Sequence, residues 1–334
     1  MLYELLGAKK TVSVIGMCKN AGKTTVLNSL IGECEEHGEA LGLTSIGRDG
    51  ERSDLVTNTK KPEIFVLGGA VIATAEGLLK EGDVSREILA ATGIPTPMGE
   101  IIIVRARSSG FVQLGGASIN SQQRAVRDML FSFGCTRVLI DGAISRKTLG
   151  DPSLADGVIL SSGASYDPDI RLTVSDTAYY ARVFGLGVFD GAKPGGGRFT
   201  LVRGGESFSS DTLRELAPEL KKGADALLLR GAVTDNSAKE LVSYGKLLKD
   251  TLLVAEDASK LLLKQAEYER LARITRGFAV EHGTHLLAVT VNPFSAYGLH
   301  YDKKDFFDRV NDALKAAGVG CPVIDVRYAF DETA

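Results

Sequence analysis

Residues Val12 to Leu30 read V-S-V-I-G-M-C-K-N-A-G-K-T-T-V-L-N-S-L. The β-branched run of Val12, Val14 and Ile15 leads to Gly16, and a loop then closes on Gly22, Lys23, Thr24 and Thr25. Beyond it Val26, Leu27, Leu30, Ile31 and Cys34 recur at helical spacing, with Gly38 where a helix C-cap is expected. The stretch predicts a strand, a phosphate-binding loop and a helix. Backbone N–H groups of such a loop and of the first helical turn can surround a phosphate, helped by the positive end of the helix dipole. Gly22 would permit close backbone approach, Lys23 would reach the β- and γ-phosphates, and the Thr24 hydroxyl would hold Mg²⁺. Gly16, Lys19, Asn20, Ala21 and Thr25 complete the candidate nucleotide-binding set.

The usual phosphate-loop pattern is G-x-x-x-x-G-K-[ST], whereas here five residues separate Gly16 from Gly22, and Met17 stands where the first glycine is usual. The longer loop resembles that of the dethiobiotin synthetase and cobyrinic-acid amidase group of P-loop proteins. The K-N-A-G-K-T-T portion is similar to the loop of the small GTP-binding proteins that assist molybdopterin guanine dinucleotide synthesis. This resemblance implies an α/β fold, a three-layer and mostly parallel sheet of P-loop NTPase type.

A chain of 334 residues suits two modest domains or one large α/β unit. Charged residues make up 24% and the net charge is only −3, so nothing in the balance asks for nucleic acid or an anionic membrane surface. The cysteines at 18, 34, 135 and 321 are far apart and form no C-x-x-C pair, which argues against a zinc knuckle or disulfide framework and fits a reducing cytoplasm. The N-terminal M-L-Y-E-L-L-G-A-K-K carries an acid where a signal peptide wants basic charge, and no apolar run approaches the length of a membrane span. A cytoplasmic location without export or spanning is expected.

Leu41 to Ile46 reads as a second strand, followed by G-R-D-G-E-R-S-D from Gly47 to Asp54. Ligands of doubly wound sheets bind outside the carboxyl ends of strands, which would bring Arg48, Asp49, Glu51 and Asp54 near the phosphates. Asp49 could coordinate Mg²⁺ or orient an attacking water; a solvated turn is the competing reading. Glu63 to Leu67 is expected as a third strand, with short helices up to Leu79 and over Ser85 to Ala91. Glu100 to Ala106, apolar over Ile101 to Val104, predicts a strand in a central parallel position. The glycine- and hydroxyl-rich Ser108 to Ser118 either binds a second substrate or turns the chain into a helix carrying Ile119, Val126, Met129, Leu130 and Phe133. Then R-V-L-I-D-G, Arg137 to Gly142, ends an apolar strand on an acid. A Mg²⁺ held by a loop threonine needs an acid at a neighbouring strand end, and Asp141 supplies it. Catalytic weight thus falls on Lys23, Asp49 and Asp141, and metal ligation on Thr24, Asp49 and Asp141. Arg146 and Lys147 suit a phosphate, an acidic partner or a plain solvated loop.

Gly157 to Leu160 predicts a further strand and Pro168 to Phe184 a helix. G-A-K-P-G-G-G-R-F, residues 191–199, is the strongest linker signal, which suggests a nucleotide-binding domain over 1–190 and a second α/β half, domain or sheet extension over 200–334. Within the latter, strands are expected at Asp225 to Leu229, Thr251 to Val254, His285 to Val291 and Pro322 to Val326. Helices are expected at Asn236 to Leu248, Ala258 to Glu281 and Asp302 to Ala317. His282 and His285 flank Gly283 without a third ligand, so metal binding there is not indicated. Asn292 to Gly298, at the carboxyl end of a buried strand, is the candidate functional loop of this half.

Three segments together, S-V-I-G-M-C-K-N-A-G-K-T-T-V-L-N, L-T-S-I-G-R-D-G-E and L-I-D-G-A-I-S-R-K, resemble the P-loop subunit of the reactivating system for cobalamin-dependent lysine and ornithine aminomutases. That resemblance implies a second ATPase subunit and the aminomutase as partners, with ATP used to exchange damaged cobalamin. Carried onto this chain it implies Gly22, Lys23 and Thr24, with Asp49 and Asp141 on the metal side. Two other classes stay open: a small-molecule ligase of the dethiobiotin synthetase kind, with Arg48, Ser108, Ser109 and Ser118 receiving a carboxylate, and a nucleotide-binding module without turnover. No N-K-x-D or T-K-x-D tetrad marks guanine specificity, which favours ATP.

Overall fold

The computed structural model describes residues 2–46, 63–143, 151–192 and 195–326. In chain order the elements begin with α1 (Leu2–Leu6), β1 (Thr11–Gly16), α2 (Lys23–Glu36), β2 (Leu41–Ser45), β3 (Ile64–Val66) and β4 (Val71–Ala75). They continue with β5 (Arg86–Thr96), β6 (Gly99–Ala106), β7 (Gly110–Val112), α3 (Asn120–Ser132), β8 (Arg137–Ala143), β9 (Gly157–Gly163) and α4 (Ile170–Phe184). Next come β10 (Phe199–Arg203), β11 (Glu206–Ser210), α5 (Leu213–Leu220), β12 (Ala226–Leu229), β13 (Val233–Thr234), α6 (Asp235–Ser243) and β14 (Leu252–Asp257). The last are β15 (Leu261–Leu262), α7 (Gln265–Ile274), β16 (Phe278–His282), β17 (Leu286–Asn292), α8 (Lys303–Ala316) and β18 (Val323–Ile324).

Two compact units divide the chain. The first comprises Met1–Leu149, Ser153–Ala178 and Leu286–Ala334, and the second Gly150–Pro152 and Tyr179–His285. The boundaries differ from the expected 1–190 and 200–334. The reason is long-range pairing: β17 lies parallel against β9 and carries β18 with it, so the last strands close the first sheet instead of building a second one. The glycines of 191–199 do not mark the boundary. A Cβ on Gly196 would fall 2.2 Å from Ser209 Oγ, and one on Gly197 2.6 Å from the Ser210 carbonyl carbon, so both let the chain pass tightly against β11 on its way into β10.

The first unit is an α/β structure on a nine-stranded sheet ordered β18-β17-β9-β1-β8-β2-β4-β6-β5. Strands from β18 to β4 are parallel, and β6 runs antiparallel to both β4 and β5. The two faces of β1 explain its continuous burial. Val12 and Val14 join Val26, Leu27, Leu30 and Ile31 of α2 in one apolar core. On the opposite face, the Gly42 position of β2 abuts Leu130 of α3, and Gln123 of α3 donates from Nε2 to Thr44 Oγ1 at 3.4 Å. Helices thus cover both sides, which is why the parallel strands read as unbroken apolar runs rather than alternating ones.

Three expectations are corrected. Arg86 to Ala91, within the expected helix of Ser85 to Ala91, forms the start of β5, because pairing with β6 overrides the helix-compatible composition of R-E-I-L-A-A. Gly93 takes φ +72° where the β5–β6 register shifts. The apolar run 101–104 is buried, but in β6, which is antiparallel and one strand from the sheet edge, not central and parallel. Residues 258–281 are not one helix. Asp257 accepts from the Ser259 N–H at 2.8 Å to start a short 3₁₀ turn, α7 spans only Gln265–Ile274, and Gly277 at φ +99° leads into β16, which pairs with β14.

The second unit holds a five-stranded sheet, β11-β10-β12-β14-β16, with β12, β14 and β16 parallel and β10 antiparallel to both its neighbours. Val202, Ala226, Leu228, Val254 and Ala279 form its apolar centre. Among the described residues, no helix is long and apolar enough to cross a membrane.

Candidate nucleotide-binding site

The carboxyl ends of β1 and β8 lie side by side, since Val14 pairs with Asp141 and Gly16 with Ala143. From Gly16 the chain turns through Met17–Ala21 to Gly22, whose φ of +94° makes it a left-handed N-cap that only glycine adopts cheaply. Its lack of a side chain has a second consequence: α2 starts with no side-chain cap, so its first-turn N–H groups are not taken up by a capping oxygen from Gly22. An uncapped N-terminus at a parallel strand end carries the positive end of the helix dipole.

Lys23 leaves the first turn and folds back over Gly16. A Cβ at Gly16 would lie 2.6 Å from Lys23 Cδ, so glycine at that position is what allows the lysine stem to lie against the strand end. The ammonium reaches 3.4 Å from Asp141 Oδ1, both side chains being largely enclosed at 20% and 25% exposure. Asp141 is further fixed by its carbonyl, which accepts from the Ile46 N–H at 3.0 Å. Thr24 and Thr25 are half-buried on the same first turn, and Lys19 is exposed on the loop.

The extra loop length is accommodated by Met17. It is buried, donates its N–H to the Ser161 carbonyl of β9 at 2.9 Å, and its sulfur accepts from Thr177 Oγ1 of α4 at 3.2 Å. The residue standing in place of the usual glycine therefore anchors the loop to the neighbouring strand. Cys18 follows it; burial pushes its thiol up to about 11, with the Lys23 ammonium pulling the other way. Asn20 sits in the left-handed region at φ +60°.

The far side of the loop is closed by β17. Asn292, the last residue of that strand, donates from Nδ2 to the Asn20 carbonyl at 3.0 Å, and a Cβ on Gly22 would meet Asn292 Cβ at 3.1 Å. A cavity of about 20 Å³, the size of one water, lies between Thr25 and Val26 of α2, Thr290 to Asn292 of β17, and Asp325. The loop following Asn292 is braced by its own contacts: Ser295 N–H donates to His300 Nδ1 at 3.1 Å, and Tyr301 donates its hydroxyl to the Asp167 carbonyl. Sequence reasoning marked Asn292 to Gly298 as a candidate loop, but not its contact with Asn20.

Of the residues singled out in the sequence, Gly16, Lys19, Asn20, Ala21, Gly22, Lys23, Thr24, Thr25 and Asp141 share this corner of the first unit. Arg48, Asp49, Glu51, Asp54, Arg146 and Lys147 lie outside the described residues. Ser108, offered as a carboxylate ligand, has its hydroxyl accepting from the Ser85 N–H at 2.9 Å and so serves the start of β5. No group of three or more His, Cys, Asp or Glu suited to a metal occurs among the described residues. Mg²⁺ at a phosphate site does not call for one, because it takes one or two protein oxygens and completes its shell with phosphates and water. Thr24 and Asp141 are donors of that hard-oxygen kind.

No family model matches the chain, and neither a curated protein nor a solved structure matches it.

Proposed function

We propose that the loop from Gly16 to Thr25 binds a Mg-nucleoside triphosphate, ATP in preference to GTP, and that the protein is a slow ATPase of the P-loop type. One observation carries the reading: Lys23 rises from the first turn of an uncapped helix, lies over a strand-terminal glycine, and reaches Asp141 near the carboxyl end of the adjacent strand. Lysine ammonium and first-turn N–H groups are positive partners for a phosphate chain, and glycine at 16 lets the lysine stem lie against the strand end. Mg²⁺ would neutralise charge on the phosphates; Thr24 and Asp141 would hold it, with Asp49 as a further candidate ligand. Lys23, released from Asp141 on binding, would neutralise the terminal phosphates. ATP is preferred because the guanine-reading tetrad is missing from the sequence.

The resemblance to the aminomutase reactivating subunit extends the proposal to partners. In it the protein works as an accessory factor with a second ATPase subunit, spending ATP to exchange damaged cobalamin on the mutase. Calorimetric titration tests the core of this reading. Wild type should bind Mg-ATP more tightly than ATP in EDTA, and Asp141→Asn should narrow that difference. Equal affinity with and without Mg²⁺ in wild type would remove Asp141 and Thr24 from the metal role. For the accessory role, phosphate release should rise on adding the aminomutase and stay flat on adding small carboxylic acids; the reverse would favour a ligase.

A further inference from the structure

We propose that Asn292 is a positioning residue for the phosphate loop: its side-chain amide holds one peptide of the loop in the orientation a phosphate needs. The proposal rests on the nucleotide reading above. Asn292 belongs to β17, 272 residues along the chain from the loop it touches. Both polar atoms of its side chain and its main-chain carbonyl have partners. Nδ2 donates to the Asn20 carbonyl at 3.0 Å, Oδ1 accepts from the Phe294 N–H at 3.3 Å, and the main-chain carbonyl accepts from the Ala164 N–H at 2.9 Å. Its Cβ also abuts the Gly22 position, so it contacts both left-handed residues of the loop, Asn20 and Gly22.

Peptide planarity turns that contact into a function. In a trans peptide the C=O and the following N–H point in opposite directions. With the Asn20 carbonyl drawn toward β17 by Asn292, the Ala21 N–H is aimed away from β17, where it is free of that strand as a donor. Asn20 sits in the left-handed region at φ +60°, which asparagine adopts more readily than most residues, and the hydrogen bond from Asn292 adds support to that conformation. Close packing seals the arrangement: a Cβ on Gly163 would be 3.1 Å from both Ala21 Cα and the Asn292 carbonyl oxygen. The phosphate-binding shape of a loop near the amino terminus is thus set in part by a strand near the carboxyl terminus.

The test uses the full chain with Asn292→Ala and Asn292→Asp, each checked for folding by melting. Mg-ATP affinity is titrated, and amide exchange of residues 17–24 is followed without nucleotide. Asn292→Ala should bind Mg-ATP roughly tenfold more weakly, the equivalent of one lost hydrogen bond, and its loop amides should exchange faster than those of wild type. Asn292→Asp keeps the shape and the acceptor for Phe294 but sets a carboxylate against the Asn20 carbonyl. It should bind more weakly still at pH 7.5 and regain affinity relative to wild type as the pH falls toward the carboxyl's own pKa, where the protonated group donates again; melting at each pH separates this from a loss of folding. Asn292→Ala with wild-type affinity and wild-type exchange would overturn the proposal. Wild type that binds no Mg-ATP would overturn the nucleotide reading and this role in it together, whereas tight wild-type binding with an unaffected Asn292→Ala sinks this role alone.

Discussion

Two helix N-termini in this protein follow parallel strands and are treated in opposite ways. In the first unit α2 begins at Gly22 with no side-chain cap, and the strand before it ends in a glycine that makes room for Lys23. In the second unit α6 begins at Thr234, whose hydroxyl accepts from the Ser237 N–H while Ser237 Oγ accepts from the Thr234 N–H, a complete capping box. The strand end beside it is filled as well: Arg230, just past β12, pairs with the buried Glu281. First-turn donors already satisfied by a capping box stabilise a helix end but offer little to a ligand. The contrast shows why one βα junction is a candidate site and the other is scaffold.

Breaking the open junction should have the largest effect. Gly22→Ala would force an alanine to φ +94° and press its methyl on Asn292, costing about 1–2 kcal/mol of stability and abolishing Mg-ATP binding; melting and titration of the same sample read both. The capped junction should answer differently. Thr234→Ala should cost about 1 kcal/mol, the usual worth of an N-cap, and leave Mg-ATP affinity at the wild-type value. A loss of affinity there would mean that the second unit is not mere scaffold. The smallest effect is chemical. Because burial holds the Cys18 thiol up at about 11, its alkylation rate should keep rising through pH 10 instead of levelling near 8.5 as for a free cysteine. Lys23→Ala, which removes the ammonium that favours the thiolate, should slow the reaction further at any given pH. Mass spectrometry of the labelled peptide reads the rate.

The open junction was legible in the sequence because everything that makes it is local: β-branched residues, then glycines, then a lysine and two threonines, then apolar residues at helical spacing. Asp141 was legible for the same reason, as an acid after an apolar run, although β8 continues past it to Ala143. What escaped depends on partners far along the chain. Nothing in R-E-I-L-A-A announces that β6 will claim it as a strand, and nothing in L-L-A-V-T-V says that β17 will return to β9 instead of serving the sheet of the second unit. Asn292 shows both sides of this. Its place at a strand end could be read, whereas its bond to Asn20 becomes visible only when β17 closes the first sheet.

The most direct measurement is the melting shift of the wild type and of Lys23→Ala with saturating Mg-ATP. Nucleotide at about 100 times its Kd adds about 2.7 kcal/mol to the folded state, enough to raise the melting temperature by a few degrees. The shift should appear in wild type and vanish in Lys23→Ala while the variant stays folded. A wild type that melts at the same temperature with and without Mg-ATP, or a Lys23→Ala variant that keeps the full shift, would contradict the assignment of the open junction as a nucleotide site.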